Sequence, residues 1–539
     1  MVERSPTLPP PPSLGTGPEV RLVNAFVQPY ANAVATARTC YSAKGIVTTE
    51  DVLGPPGQAP EAAEKKAATR DRIARSIYEA GHHTTLQHAH FQFALSRVSR
   101  QFLWTFLHSH PFYNSEQVSQ RYVEVKPEHA SVPPLQGEAR ATYLACLERQ
   151  GRDYHRLIEL LTPVCEREYF RIFRVRSRDP GRWKQAIHKR AMEVARYALP
   201  VATHACLYHT VSGLTLLRYW RMCMTMDAPR EQREVVGEMV RQLLEHDPLF
   251  ATLLEEPLPL EQTPEHAFFA ASPGAGTAVQ AAACRAEFDR ALGGRTSLLV
   301  DWKVRNEASV AQGVREVLGL PSSALADDDA LALVLDPSRN RLLGETMNVT
   351  TLGKLSRALS HASYTFQKRL SHTADSQDQR HRMTPASRPT LRAYLCDEPD
   401  VVVPPLVDED PAVRRAWDES MARSWEAITR LRALGVSDED RAYMLPNAVA
   451  LRFTESSDLL NLHHKHRMRL CYNAQEEIWR ASQDEALQVR AINPRIGRFL
   501  LPPCTQRSMA KRSPVCPEGD RFCGVRVWKM DVADYKRLI

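Results

Sequence analysis

The feature that most constrains the fold is an internal repetition, because four sequence landmarks occur twice and in the same order. Such self-similarity predicts two copies of one structural plan. Chance similarity between helical segments is the alternative. The paired landmarks are Ser99-Arg100 with Leu355-Ser356-Arg357-Ala358, Ser119-Gln120-Arg121 with Ser376-Gln377-Asp378-Gln379-Arg380-His381, Leu199-Pro200 with Leu445-Pro446, and Gln232-Arg233-Glu234-Val235 with Gln475-Glu476-Glu477-Ile478.

The repetition divides the chain into five predicted segments. Residues 1–19 are Pro-rich and lack the basic start and apolar block expected of a secretory signal, so they are expected to be a disordered tail. The other segments are a first domain over 20–256, a Pro/Gly/Ala-rich linker over 257–285, a second, degenerate domain over 286–500, and a Cys-containing tail over 501–539. The run Pro273-Gly274-Ala275-Gly276 also fits a loop inside a domain.

Composition narrows the class of protein. Of the 539 residues, 43% are hydrophobic and 25% charged, which is typical of soluble globular chains. No apolar run approaches membrane-spanning length, and no Lys/Arg cluster interleaved with aromatics indicates nucleic-acid binding. Eleven scattered cysteines favour reduced thiols and a cytoplasmic location. The net charge of +7 suits anionic ligands such as nucleotides, although many proteins carry a similar surplus by chance.

The hydrophobic periodicity predicts an α+β fold. Helical spacing recurs at Val194, Ala195, Ala198 and Leu199, and again at Val235, Met239, Leu243 and Leu244. Phe91 to Leu95 alternates in the manner of a half-buried strand. We therefore expect helices packed beside a small, mainly antiparallel sheet.

One stretch of the first copy resembles the flavin-dependent thymidylate synthases. The stretch runs from Gly81-His82-His83-Thr84 to Ser119-Gln120-Arg121-Tyr122. The family pattern is Gly-His-x-Ser/Thr-x-x-Glu-His, a helix starting near Ser-Arg, the triplet Arg-His-Arg, seven residues, Ser, and usually Gln-Arg-Tyr. A Pro-Cys-His setting, which classical thymidylate synthases use, is absent because Thr505 follows Cys504. The chain is thus expected to contain two diverged copies of the flavin-dependent domain.

The resemblance implies an enzyme that methylates dUMP reductively to dTMP. Its implied cofactor is FAD, its carbon donor methylenetetrahydrofolate and its reductant NADPH. In such proteins the enzyme supplies position and positive charge while the flavin supplies the hydride. Because the family's sites form between subunits of a tetramer, a fused chain is expected to form a homodimer that acts as a pseudo-tetramer.

The resemblance also assigns roles in the first copy. Glu116, Ser119, Arg121 and Arg196 match substrate-binding positions, and an Arg fork suits a phosphate or a pyrimidine carbonyl. A surface loop with an N-capping Ser, and a helix-surface Arg, are the alternatives. The matched flavin-binding positions are His82, Thr84, His108, His110 and Asn114, whereas His88 is expected to pack within the fold.

The second copy retains a different subset of the family's residues. On the match of Leu462–Leu470 and Ala474–Ile478, His464 is a flavin-side residue and Arg469 polarises the uracil. We therefore predict one composite site with Arg121 and Arg469 as catalytic residues, and a vestigial reciprocal site. In this second copy, the family's Arg-His-Arg triplet would align with Lys368-Arg369-Leu370 and its Ser with Asp378. The Arg that follows this Ser in the family pattern is retained as Arg380.

The first copy's triplet argues against full activity. Its Arg-His-Arg positions hold His108-Ser109-His110, and His titrates near neutrality whereas Arg stays charged. The loss is compatible with a slow enzyme, altered flavin handling, or a non-catalytic flavin- or nucleotide-binding or structural relative.

The C-terminal tail contains a candidate metal site. Cys504, Cys516 and Cys523 lie in Pro/Gly-rich sequence, where thiolates can bind structural zinc. Cys471, or a histidine near His463, could complete the set, and unliganded thiols are the alternative.

Overall fold

Two four-stranded antiparallel sheets organise the chain in a computed structural model. The structure describes residues 17–108, 112–126, 129–225, 228–272 and 277–539. The first sheet has the order β1-β2-β4-β3 and the second β5-β6-β8-β7, so the two sheets share one topology. The strands are β1 (Glu19–Ala25), β2 (His90–Ser99), β3 (Tyr113–Gln117), β4 (His204–Ser212), β5 (Ser297–Trp302), β6 (Ser363–Ser371), β7 (Ala386–Ser387) and β8 (Ala450–Asp458).

Helices surround both sheets, which confirms the predicted α+β class. They are α1 (Pro29–Thr39), α2 (Thr49–Leu53), α3 (Pro60–Glu79), α4 (Arg100–His108), α5 (Gly137–Ile172), α6 (Lys184–Ala195), α7 (Gly213–Met222), α8 (Pro229–His246), α9 (Pro264–Ala271), α10 (Ala278–Leu292), α11 (Asn306–Leu318), α12 (Asp327–Leu335), α13 (His372–Asp378), α14 (Pro405–Asp408), α15 (Pro411–Ala433), α16 (Asp438–Ala442), α17 (Leu459–Arg469), α18 (Glu476–Ile492), α19 (Pro494–Gly497) and α20 (Pro503–Met509).

Local sequence accounts for these elements. Phe91, Phe93 and Leu95 of β2 are buried and alternate with partly exposed residues, as a strand with one face on a core requires. Helix α7 begins where the Ser212 side chain accepts a hydrogen bond from the Thr215 amide, and α17 begins at Asp458 in the same way.

The two halves meet across a local two-fold relation. Pro200 and Pro446 form an antiparallel bridge. The Val201 amide donates to the Leu445 carbonyl at 2.8 Å, and the Asn447 amide donates to the Leu199 carbonyl at the same distance. The two Leu-Pro landmarks are therefore each other's partners.

The halves also share a hydrophobic core. Leu157 and Leu161 of α5 belong to one buried cluster with Val413 and Trp417 of α15. Apolar burial between the two long helices thus stabilises the pairing of the halves.

A pair of buried glutamates fixes the register of the repeat. Glu231 accepts from the Ser99 amide and hydroxyl and from the Tyr443 hydroxyl. Glu477 accepts in the same way from Ser371 and Tyr197. Pairing Gln232 with Gln475 was therefore out of register by three residues, because equal contacts make Glu231 the counterpart of Glu477.

The same contacts correct the second Ser-Arg landmark. Ser371 caps α13 directly after β6, as Ser99 stands at the end of β2 directly before α4. The pairing of Ser99-Arg100 with Ser356-Arg357 was wrong, because 355–361 form a separate 3-10 helix before β6. Lys368-Arg369-Leu370 lies inside β6 and does not occupy the triplet position.

The predicted linker and the predicted C-terminal tail contain helices and core residues. Helices α9 and α10 lie within or across the predicted linker, whereas 273–276 are outside the described residues. Tail residues Cys504, Val527, Val532 and Tyr535 join the core of the second half. Residues 1–16 of the Pro-rich tail are also outside the described residues. Across the described ranges, no helix has the length and apolar character needed to span a bilayer.

Candidate functional site

An Arg-His-Arg triplet stands in the second half at Arg380, His381 and Arg382. Arg380 lies nine positions after Ser371, and His108 lies nine positions after Ser99. The second half therefore carries the triplet at the place where the first half has lost it. Sequence reasoning missed it because Arg380 had been matched to Arg121; counting from the end of each strand would have found it.

Arg121 of the first half contacts the second half directly. Its Nη2 donates to the Asn473 carbonyl at 2.8 Å, and its Nε lies 3.1 Å from Glu193 Oε1. The Ser119 hydroxyl accepts from the Arg121 amide, so it shapes this turn. Asn473 lies four positions beyond Arg469.

Two glutamines link Arg196 with Arg469. Arg196 is buried, and its Nη2 donates to Gln475 Oε1 at 2.9 Å. Gln377 also donates to Gln475 Oε1, and the Gln377 carbonyl accepts from Arg469 Nη2 at 2.6 Å. Arg121, Arg196 and Arg469 therefore belong to one polar cluster built from both halves.

The triplet faces β3 across an open cavity of about 420 Å³. Arg380 Nη2 lies 2.9 Å from Glu116 Oε1, and Arg382 Nη2 approaches Asn114 Oδ1 at 3.5 Å. The cavity is lined by residues of β3, β4 and the triplet. Two residues expected in the site, Glu116 and Asn114, thus meet the second half here.

Burial and mutual repulsion shape the charges of the cluster. Burial lowers the pKa of Arg469 to about 10, with Asp378 opposing this shift and Arg380 and Arg121 adding to it. Burial alone would raise the pKa of Glu193, but Arg121 and Arg190 lower it to about 2. The arginines remain cationic at neutral pH, so the cluster suits an anionic ligand.

His381 differs from its arginine neighbours because it is neutral. Burial, with Arg469 and Lys465 nearby, lowers the pKa of His381 well below its usual range. His464 lies on α17 with its ring 5.9 Å from that of His381, and its Nδ1 lies 3.0 Å from Asn348 Nδ2.

The reciprocal position in the first half is filled by protein side chains. Trp104 Nε1 donates to Asp375 Oδ2 at 2.7 Å, and Arg388 pairs with the same carboxylate at 2.8 Å. His108 Nε2 lies 3.6 Å from Asp375, and burial lowers the pKa of His108 to about 3. His108 is thus a neutral, mostly buried ring beside the Asp375 carboxylate.

Other expected flavin residues lie elsewhere. His82 and Thr84 are exposed on the turn after α3, and the 3-10 helix that follows, Thr85–His88, packs on α1, α7 and β4 rather than on the arginine cluster. His88 is exposed rather than packed. His110 is outside the described residues.

The tail cysteines converge without forming a metal centre. Cys471, Cys504, Cys516 and Cys523 line one small cavity, and all eleven cysteines are free. Within the described parts of the chain, no group of three or more His, Cys, Asp or Glu side chains is placed to hold a metal ion. The predicted zinc site at Cys504, Cys516 and Cys523 is therefore not supported.

The arginine cluster fits a polar ligand such as a flavin or a nucleotide. Among the described residues, Arg469 Nε, His381 Nε2 and Gln379 Oε1 are buried without a hydrogen-bond partner. Buried polar atoms are normally satisfied, so a ligand with donors and acceptors would complete them.

Comparisons with known proteins agree with the twofold plan. The family described as "Thymidylate synthase complementing protein" matches residues 21–249 and 322–495, which together cover more than half of the chain. Two matched segments fit a two-copy arrangement.

Three curated relatives are called flavin-dependent thymidylate synthase. The protein of Clostridium tetani is 25% identical over 42% of this chain and 82% of its own length. That of Geobacter sulfurreducens is 30% identical over 35% and 77%, and that of Thermococcus kodakarensis 30% identical over 33% and 74%.

A solved structure also aligns with the chain. It is the UMP/dUMP methylase PolB from Streptomyces cacaoi bound with 5-Br dUMP, 17% identical, covering 44% of this chain and 94% of that one, with a TM-score of 0.29. A score this low supports no structural conclusion. On the profile match and the curated relatives, the chain belongs to the family of thymidylate synthase complementing proteins, the flavin-dependent thymidylate synthases.

Proposed function

We propose that the chain is a methyltransferase that converts dUMP to dTMP with FAD, methylenetetrahydrofolate and NADPH. The observation that carries the proposal is the shared cluster of Arg121 and Arg196 from the first half with Arg469 from the second, adjoining the Arg380–Arg382 triplet. A concentration of fixed cations in one cluster suits a dianionic nucleotide and a flavin diphosphate.

The substrate would bind between the halves. Arg121 and Arg196 offer guanidinium groups that can bind the phosphate. Ser119 lies on the same loop as Arg121, and Glu116 lies on the preceding strand, β3. Arg469 has one buried, unsatisfied Nε that can donate to a uracil carbonyl. A cation beside that carbonyl stabilises the negative charge that develops on the uracil ring when hydride is added at C6.

The flavin would lie beside the triplet. Arg380, Arg382, Asn114 and His464 are the residues that would hold it. When bound, the flavin supplies the hydride, and the chain's own groups orient the nucleotide against it. His381, being neutral, can hydrogen-bond without adding a competing charge.

The same geometry supports one working site per chain. Trp104, His108 and Arg388 close the reciprocal position around Asp375. The non-catalytic alternative rests on the loss of the Arg-His-Arg triplet. Because residues 380–382 form such a triplet, that reason for the alternative no longer applies. We further propose the domain limits given above for the two copies, a homodimer acting as a pseudo-tetramer, and a cytoplasmic location, which eleven free cysteines favour.

The experiment compares two variants at equivalent positions. The purified protein is loaded with FAD, its flavin absorbance is recorded, and dTMP formation is measured with dUMP, methylenetetrahydrofolate and NADPH. Arg380→Gln is expected to lower the rate on the order of a hundredfold because it removes a preorganised charge, whereas His108→Gln changes it less than about threefold. A protein that takes up no flavin, or equal losses in both variants, would contradict the proposal.

A further inference from the structure

The core of the second half contains a buried ionic network. Lys368, Lys465, Asp378, Glu455 and Glu485 are each at most 3% exposed. Lys465 Nζ lies 2.8 Å from Asp378 Oδ2 and 2.6 Å from Glu455 Oε1. Lys368 Nζ lies 2.7 Å from both Glu455 Oε1 and Glu485 Oε1.

The network joins the two helices that carry the second half's share of the site. Asp378 is the last residue of α13, directly before the segment that leads to Arg380. Lys465 lies one helical turn before Arg469 on α17, so both side chains lie on one face. The Asp378–Lys465 pair therefore ties the triplet to Arg469.

The first half has rings at three of the five positions, those of Asp378, Lys465 and Glu455. Phe106 lies seven positions after Ser99, as Asp378 does after Ser371, and Tyr219 lies seven positions after Ser212, as Lys465 does after Asp458. The ring of Phe106 lies 4.7 Å from the ring of Tyr219. His209, at the position of Glu455, also lies 4.7 Å from Phe106.

The fold therefore does not require ions at these positions. Burying ion pairs costs desolvation, and apolar replacements are often as stable. Cys223 lies eleven positions after Ser212 in the first half, and Arg469 lies eleven positions after Asp458 in the second half. The half with rings therefore has a cysteine at the position of Arg469. The ionic network thus occurs in the half that keeps the arginine.

We propose that Asp378 is a positioning residue that holds Arg469 and the Arg380–Arg382 triplet in the geometry that binds the nucleotide. The inference rests on the proposed function. Asp378 acts on both sides: its carboxylate attracts Arg469, and its carbonyl accepts from the His381 amide at 3.0 Å. Arg469 in turn donates to the carbonyl of Gln377, the residue before Asp378.

The test compares Asp378→Asn with Glu485→Gln. Each removes one carboxylate charge from the network, but Glu485 contacts Lys368, His466 and Ser297 rather than Arg469. Asp378→Asn is expected to weaken dUMP binding about tenfold and to speed amide hydrogen exchange across residues 377–382. Glu485→Gln is expected to leave both within about twofold, even if it lowers stability equally.

Equal effects of the two variants on affinity and on exchange at 377–382 would overturn the inference. If Asp378→Asn does not fold, the double variant Asp378→Asn, Lys465→Met avoids an unpaired buried lysine and must show the same local loss. If the unaltered protein does not bind dUMP, the proposed function fails, while the exchange comparison still decides whether Asp378 orders the triplet.

Discussion

Glu193 shows how a single residue sets the charge of the arginine cluster. It pairs with Arg121 and Arg190, and its backbone carbonyl accepts from Arg196 Nε. Glu193 thus orients two arginines that are proposed to bind substrate, Arg121 through its carboxylate and Arg196 through its backbone carbonyl. Because the guanidiniums are paired with protein groups, they are held in place before a ligand arrives, which lowers the entropic cost of binding.

The pairing of Glu193 predicts a pH-dependent stability. The folded-state pKa is about 2 against an ordinary value of 4.5, so the stabilisation is present above about pH 4.5 and is lost as the pH falls toward 2. Glu193→Gln is therefore expected to lower the free energy of unfolding by about 3 kcal/mol at pH 7.

Urea unfolding of both proteins between pH 7 and pH 3 checks this, because the difference must shrink as Glu193 of the unfolded wild-type chain protonates. A difference that stays constant with pH would show that the loss comes from packing instead.

At the scale of elements, the strand-to-helix junctions are the repeated unit. Ser99 and Ser371 each stand at the end of a strand. Each hydroxyl accepts a hydrogen bond from an amide of the next helix and donates one to a buried glutamate of a later helix. Each glutamate also accepts from a tyrosine of the opposite half, Tyr443 or Tyr197. The junctions thus connect local folding to the pairing of the halves.

Replacing either junction serine is expected to weaken the protein to a similar degree. Ser99→Ala and Ser371→Ala each leave a buried carboxylate short of a donor and a helix without its cap, a loss of about 1–3 kcal/mol. Ser376→Ala is the control, because among the described residues that hydroxyl donates only to the His372 carbonyl within its own helix. Thermal unfolding measures all three, and a control as destabilised as the junction variants would refute the role of the serine–glutamate pairs.

The features that could be predicted from the sequence are those that depend on local patterns within one element. The alternation in β2 and the Leu-Pro landmarks depend on neighbouring residues, so the pattern predicted them. The second triplet was misplaced because Ser376 to Arg380 imitates Ser-Gln-Arg by identity, whereas its true position depends on distance from the end of β6. Contacts such as Asp375 with Trp104 arise only when the halves pair, and no local pattern encodes them.

At the scale of the whole molecule, both halves contribute residues to the proposed site. The first half contributes Glu116, Ser119 and Arg121, and the second half contributes the triplet and Arg469. Main-chain bonds around Pro200 and Pro446 and the shared core of α5 and α15 hold these parts together. The closed position around Asp375 is where the reciprocal site would stand.

Calorimetric titration with dUMP of the FAD-loaded protein tests the shared site most directly, using Arg121→Gln, Arg469→Gln and the exposed control Arg233→Gln. We expect one dUMP per chain and a loss of affinity on the order of a hundredfold in each of the first two variants, with the control unchanged. Two dUMP molecules per chain, or full affinity after either arginine is replaced, would contradict a single site built from both halves.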